Sequence, residues 1–371
     1  MTTAGIDRWS NLIPMRETER ITLDDIPALA RGCGVLGTGG GGGVEGSILT
    51  VARALSDYGD VRLIPLSEVP DDGLVLPLSG IGAPTVAHEM PMSGEEALPI
   101  AAEAERIFGR PVTAVMASEI GGGNGLDPVA WAARLGVPLV DADAMGRAFP
   151  EVQMVSQHVA GLPVNLIILA DVQGNLTTVR PVDGLWSERI ARAVTVACGG
   201  SALMADYVLT GKEMRGAVIE GTVSAALRIG RTVLGSTEPV AALRELLDAK
   251  ALITGKVVDV ERRTGGGFVR GSLVVEGTGA DRNRLVRVEI QNENLVAFED
   301  GEMRACVPDL ITVVDAQTAD AISTESLRYG QRVTVLSWPC DPLWRTGRGL
   351  AIAGPRAFGY DLDYIPVEKL R

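Results

Sequence analysis

The stretch Leu36-Gly37-Thr38-Gly39-Gly40-Gly41-Gly42-Gly43-Val44-Glu45-Gly46 decides how this chain is read, because it joins two helical patterns through residues that mostly lack a Cβ. Upstream, Thr22 with Asp25 three positions later, ahead of Ile26, Leu29 and Ala30, predicts a capped short helix stopped by Gly32 and Gly34. Downstream, Ile48, Val51, Ala52 and Leu55 recur at helical spacing and end before Gly59. A glycine run feeding a helix N-terminus can approach a ligand closely and turn several backbone N–H groups toward it. Gly39, Gly40, Gly41 and Gly42 are therefore expected to form one wall of a small-molecule site, in preference to a flexible surface loop. The Gly-Lys-Ser/Thr ending of a phosphate-binding loop is missing, and a glycine run meets the dinucleotide fingerprint only trivially, so no nucleotide cofactor is expected.

Working outward, short apolar runs at residues 61–66, 74–78, 111–117 and 137–140 read as buried strands, with helical stretches at 95–108 and 128–135 between them. This alternation predicts an α/β domain with a largely parallel sheet, and 164–170 adds a strand at the domain junction. Residues 185–197, 212–229 and 239–247 carry helical periodicity. Beyond about 251 the pattern turns to β-rich runs at 255–261, 268–276, 285–290, 295–299, 311–314 and 332–336. A chain of 371 residues exceeds the size at which one core usually keeps growing, so two domains are expected. The division falls into an α/β domain at 1–165 and a mixed α+β domain at 166–371 that ends mainly β.

The net charge of -13, spread along the chain, argues against nucleic acid and anionic membranes as partners. Apolar stretches are too short to span a bilayer and the first twenty residues lack a signal-peptide core, so a cytoplasmic protein is expected. Four scattered cysteines without a CxxC pair read as buried free thiols, not as disulfides or a thiolate metal site. A homo-oligomer is expected on general grounds.

Three further segments carry candidate chemistry. Ser118-Glu119-Ile120-Gly121-Gly122-Gly123-Asn124-Gly125 follows a strand, which puts Glu119 and Asn124 at the carboxyl end of the sheet, where open α/β sheets bind ligands. Asp141-Ala142-Asp143-Ala144-Met145-Gly146-Arg147-Ala148-Phe149-Pro150-Glu151 also follows a strand. Alternate residues of an extended segment share a side, so Asp141 and Asp143 are expected to converge as a base or, with Glu119, as ligands to a divalent metal. Arg147 would pair with one of them or grip a substrate carboxylate. A loop salt bridge with a helix cap is the plainer alternative. In Gly82-Ala83-Pro84-Thr85-Val86-Ala87-His88-Glu89, Thr85 and Glu89 join the same rim, while His88, in no recognised metal or triad spacing, is the weaker general base. The C-terminal segments Val307-Pro308-Asp309-Leu310, Trp338-Pro339-Cys340-Asp341-Pro342 and Gly354-Pro355-Arg356-Ala357-Phe358-Gly359-Tyr360 read as turns between strands. With no Gly-x-Ser-x-Gly elbow and no evident His partner for Cys340, covalent acyl transfer has little support.

Taken in order, Leu36-Gly37-Thr38-Gly39-Gly40-Gly41-Gly42, Gly82-Ala83-Pro84-Thr85-Val86, Glu119-Ile120-Gly121-Gly122, the segment from Asp141 to Glu151, Val307-Pro308-Asp309-Leu310-Ile311 and Gly354-Pro355-Arg356-Ala357-Phe358-Gly359 resemble the bacterial DUF917 family, associated with S-methyl thiohydantoin desulfurase. The likeness runs nearly the whole length. It departs from the family where relatives often continue the first loop with Asp-Pro; here Gly43-Val44-Glu45 follows, with Glu45 replacing that acid or the substrate differing. The resemblance implies a hydrolase: water attacks the sulfur-bearing ring carbon of a thiohydantoin, releasing methanethiol and leaving a hydantoin. Glu119, Asp141 or Asp143 would then supply the base, directly or through a divalent metal, and Arg147 would orient the substrate. Hydrolysis of a hydantoin-like cyclic amide, or a non-catalytic metabolite-binding or accessory role, are the competing readings.

Overall fold

Apolar runs alternating with amphipathic segments build a nine-stranded sheet in the computed structural model, which describes residues 18–82, 86, 89–265 and 268–370. In chain order its strands are β1 (Arg20–Ile21), β2 (Val61–Ile64), β3 (Leu74–Gly82), β4 (Val112–Ala117) and β5 (Leu139–Val140), then, after a short β6 (Ala142–Asp143), β7 (Ile167–Ala170), β8 (Leu176–Val179), β9 (Ser201–Asp206) and β10 (Leu209–Thr210). They lie in the order β1-β2-β5-β4-β3-β9-β7-β8, with β10 also on β3, and β6 pairs apart with β11 (Ile219–Glu220).

The central four, β2, β5, β4 and β3, are parallel. The helices Ala97–Phe108 and Pro128–Leu135 fall between consecutive strands and supply the crossovers that parallel pairing requires. Every other pairing in this sheet is antiparallel. The expectation of a largely parallel sheet is thus corrected to a mixed one. The physical reason shows at β7 and β8, which a tight turn connects: the Asp171 carboxylate accepts the N–H groups of Gln173 and Asn175, at 3.0 and 2.8 Å, and folds the chain straight back. Strands from residues 167–210 belong to this first sheet.

The second sheet is wholly antiparallel, with β12 (Lys250–Gly265), β13 (Phe268–Gly277), β14 (Leu285–Gln291), β15 (Glu293–Glu299), β16 (Glu302–Cys306), β17 (Leu310–Asp315) and β18 (Arg332–Trp338) in the order β16-β15-β14-β13-β12-β18-β17. Its apolar face encloses a small core around Ile253, Leu273, Val288 and Val335, while Leu295, Val296 and Trp338 join the main core of the molecule.

Two helical expectations are corrected. The helix Ile26–Leu36 runs through Gly32 and Gly34 instead of stopping there. A Cβ on Gly32 would lie 1.8 Å from the Ala226 carbonyl oxygen, and one on Gly230 would lie 1.8 Å from that of Ala28. The glycines therefore allow this helix to press backbone to backbone on the helix Thr222–Leu234. The second correction concerns 212–229, which divides into the helix Gly211–Met214, β11 and the helix Thr222–Leu234. Gly216 and Gly221, at φ of 76° and 80°, turn the chain there, and β11 is held by its ladder with β6.

Among the described residues no helix is long and apolar enough to cross a membrane. Cys33, Cys306 and Cys340 are buried and Cys198 half-buried, all four as free thiols.

Candidate active site

The two glycine clusters expected to line a site interlock with each other. Gly123 and Asn124 donate their backbone N–H groups to the carbonyls of Gly42 and Gly41, both at 3.0 Å. Contact is so close that a Cβ on Gly41 would lie 2.1 Å from the Gly121 carbonyl oxygen, and one on Gly122 would lie 2.4 Å from that of Gly42. Much of the glycine content thus serves backbone packing, and the joined loops form a rigid floor.

Beside this floor, at the end of β3, lies a cavity of about 230 Å³. Its lining includes Gly41, Gly42 and Gly43, Ser79 to Gly82 of β3, Glu119, Asn124, Asp127 and Arg192, with Met92, Trp131, Phe149 and Met204 giving it apolar surface. From the second sheet, Asn292 and Glu293 reach into the same cavity.

Asn124 sets the geometry of Glu119. Its Oδ1 accepts the Gly80 N–H at 2.7 Å, and its Nδ2 donates to the Gly80 carbonyl at 3.1 Å, as a neighbouring strand would. These two bonds fix which way the amide points, and its remaining N–H goes to Glu119 Oε1 at 2.5 Å. The other oxygen, Oε2, is buried without a hydrogen-bond partner among the described residues. Burial pushes the Glu119 carboxyl up to about 8; the bond from Asn124, the Phe149 backbone N–H and the Arg147 charge pull down, while Asp143 adds to the rise.

Glu293 enters from the tip of the β14–β15 hairpin, where Gln291 pairs with Glu293 around Asn292 at φ 58°. The tip is pinned: Asn292 exchanges hydrogen bonds with the Val269 backbone at 2.7 and 2.8 Å, and Thr324 Oγ1 donates to the Asn292 carbonyl at 2.6 Å. Asn294 N–H donates to the Thr38 carbonyl at 2.8 Å, which docks the hairpin on the glycine loop. Glu293 lies so close to Gly40 that a Cβ there would stand 2.1 Å from Oε1. Its Oε2, like that of Glu119, is buried and unpartnered among the described residues. Burial, then the charge of Glu119, raises the Glu293 carboxyl well above the ordinary range, against Arg147 and Arg192. Sequence reading missed Glu293 because Gln291-Asn292-Glu293-Asn294 has the composition of an ordinary hairpin turn. The usable signal was four consecutive polar residues that break the alternation of Val286, Val288 and Ile290 before Leu295 and Val296.

The remaining expected residues are distributed differently. Asp141 and Asp143 are both buried, but they do not converge on the cavity. Asp141 accepts the N–H and hydroxyl of Ser224, at 3.0 and 2.6 Å, in the first turn of the helix Thr222–Leu234. Asp143 accepts backbone N–H groups of Ile120, Met145 and Gly146 at 2.8 to 3.0 Å, tying the second glycine cluster to its own loop. Each carboxylate takes nearby backbone donors, which overrides the simple alternation of an extended segment. Arg147 is fully buried and binds its own chain: Nε to the Ala148 carbonyl at 3.0 Å, Nη1 to those of Pro308 and Asp309 at 2.7 and 3.1 Å, and Nη2 to Thr38 Oγ1 at 2.9 Å. Its guanidinium also stacks on Phe149, 4.5 Å from the ring centroid. Gly39 and Gly40 turn toward the second domain, where they line a separate recess with Ser323, Ser326 and Arg328. Glu89 is exposed, and Thr85 and His88 lie outside the described residues. Among the described residues no group of three or more His, Cys, Asp or Glu is placed to hold a metal ion, so the expected set of Glu119, Asp141 and Asp143 does not assemble.

The C-terminal turns support this region. Asp309 is fully buried and accepts from Arg345, Tyr364 and the N–H groups of Cys340 and Val367. Trp344 Nε1 donates to the Met145 carbonyl at 2.8 Å, and its ring meets Phe149 edge-on at 4.7 Å.

Comparison with known proteins gives matches along nearly the whole described fold. Residues 24–181 match the family model described as S-Me-THD-like, N-terminal domain, and residues 182–367 match the one described as S-Me-THD-like, C-terminal domain. Among solved structures, the chain is similar to a protein from Chromobacterium violaceum known from an X-ray crystal structure, at 25% identity and a TM-score of 0.77 over 94% of this chain and 100% of that one. No curated protein matches.

Proposed function

The chain belongs to the S-Me-THD-like family through both of its domains, and from that premise we propose that its cavity hydrolyses the carbon–sulfur bond of an S-methylated thiohydantoin, giving a hydantoin and methanethiol. The observation that carries this reading is Glu119: a buried carboxyl in a partly apolar cavity, oriented by Asn124, with one oxygen unpartnered among the described residues. A proton-transfer group needs a fixed position, a free lone pair and a pKa near the working pH. With its carboxyl pushed up to about 8, Glu119 becomes an effective acceptor in weakly alkaline solution and takes a proton from the attacking water. Gly41 to Gly43 lead into the N-terminus of the helix Val44–Tyr58, whose dipole favours negative charge developing in the ring. In this reading Asp141, Asp143 and Arg147 are positioning residues that hold the loops in place.

The test is incubation of the purified protein with S-methylated thiohydantoins and with plain hydantoins, followed by thiol detection and mass analysis. Methanethiol and an intact ring are expected, and Glu119→Gln should lower turnover by about 10²-fold or more. An opened ring would establish amidohydrolysis instead, and tight binding without turnover would make the protein a sensor or accessory subunit.

A further inference from the structure

We propose that Glu293, delivered by the second domain, is the proton donor that works with Glu119, and that the cavity therefore selects rings carrying a basic nitrogen beside the reacting carbon, cyclic isothioureas and amidines, over imides. The chemistry rests on the hydrolytic reading above; the pairing rests on geometry. Both carboxyls line one cavity, and each has a buried oxygen with no partner among the described residues. Paired oxygens of this kind await a ligand that both offers and accepts protons. Gly40 leaves room for Glu293 to lie against the loop, which any larger residue would deny.

Two buried carboxyls sharing a cavity cannot both ionise cheaply, so a proton stays with the one whose charge is less favoured. Arg147 and Arg192 face Glu293 as cations and Glu119 faces it as an anion, while Asp143 and Arg147 face Glu119. The repulsion between them is mutual, and the donors break the tie: the Asn124 amide and the Phe149 backbone N–H stabilise a charge on Glu119, while Glu293 has no side-chain donor among the described residues, so Glu119 ionises first and Glu293 keeps its proton.

The roles follow with atoms balanced. Glu293 gives its proton to the ring nitrogen as Glu119 takes one from water, and the hydroxide adds to the sulfur-bearing carbon. The tetrahedral centre then collapses: the carbon–sulfur bond breaks, the sulfur takes the proton held by Glu119, and the hydroxyl proton returns to Glu293 as the carbonyl forms. One water is consumed, and both carboxyls are restored. An imide has no comparably basic ring nitrogen and gains little from such a donor.

The pairing is tested without substrate by following the glutamate side-chain carboxyl carbons of labelled full-length protein by NMR across pH. Two carboxyls titrating well above the others are expected; Glu293→Gln should remove one, and Glu119→Gln should lower the pKa of the other. With an S-methylated thiohydantoin, the wild-type kcat/KM should rise through about pH 8 and fall at higher pH, and Glu293→Gln should lose about 10²-fold or more in kcat together with the alkaline fall. Wild-type Glu293 titrating near 4.5 overturns the pairing whatever the substrate. So does a Glu293→Gln variant that keeps full turnover. If Glu293 titrates high but wild-type protein releases no thiol from any ring, the hydrolytic reading fails and the donor role fails with it, while the coupled pair stands.

Discussion

A methyl group at position 40 would stand 2.1 Å from a Glu293 oxygen, yet Gly40 is not among the positive-φ residues, so alanine there meets the carboxylate without backbone strain. Gly42 presents the reverse case, with φ 81° and nothing within 4 Å of its missing Cβ. Gly40→Ala should therefore displace Glu293 and cut turnover at least tenfold with little loss of stability. Gly42→Ala should cost about 1–2 kcal/mol of stability through its left-handed backbone and spare more of the activity. Denaturant unfolding and steady-state kinetics on the two variants separate these outcomes, and equal kinetic loss in both would remove the special role of Gly40. Arg147 separates similarly by Arg147→Lys. Lysine keeps the charge but cannot span Thr38, Ala148, Pro308 and Asp309 at once, so stability should fall by about 3 kcal/mol. A raised KM with unchanged stability would instead mean that Arg147 grips the substrate.

At the level of elements, the helices Ile26–Leu36 and Thr222–Leu234 show why a glycine cannot be read by propensity alone. Replacing a helical glycine by alanine at an exposed site gains up to about 1 kcal/mol. Here the added carbon would sit 1.8 Å from a carbonyl oxygen of the facing helix, and overpacking of that kind costs about 1–3 kcal/mol. Gly32→Ala and Gly230→Ala should both lower the unfolding midpoint, and a stabilised Gly32→Ala protein would contradict the close contact. The helix Thr222–Leu234 also depends on Asp141, which accepts the Ser224 N–H in its first turn. Asp141→Ala should cost about 1–2 kcal/mol through loss of that cap and the facing hydroxyl bond.

Across the whole molecule, burial of carboxyls links stability to pH. Glu119 is pushed up to about 8, and Asp127, Asp143 and Asp206 to about 7, each chiefly by burial. Raised carboxyls hold protons in the folded state that the unfolded chain has already released, so stability falls wherever the folded state binds more. Their contribution is complete below the unfolded values, near 4, and is lost as pH rises through 7 to 8. The urea midpoint should therefore fall between about pH 5 and pH 8.5, and Glu119→Gln should flatten the upper part of that fall. A midpoint that stays level over this range would show that these groups ionise in the folded protein as they do in the unfolded chain.

Much of this was legible in one dimension. The strands β2 to β5 and the helices Val44–Tyr58, Ala97–Phe108 and Pro128–Leu135 follow from apolar periodicity, which is set by local burial and survives in the chain as written. Glu119 and Asn124 were legible for the same reason, since a residue just past a strand must lie at the carboxyl end of the sheet. The sequence by itself thus determined most of the strands and helices, the β-rich second half, the family and the place of Glu119 and Asn124 at the end of the first sheet. Only the tertiary structure decided what the glycines touch, that Asp141, Asp143 and Arg147 spend their bonds on the protein itself, and that Glu293, 174 residues beyond Glu119, completes the cavity. These depend on contacts between distant segments. Periodicity reports which face of an element is buried, but it carries no information on what that face is buried against.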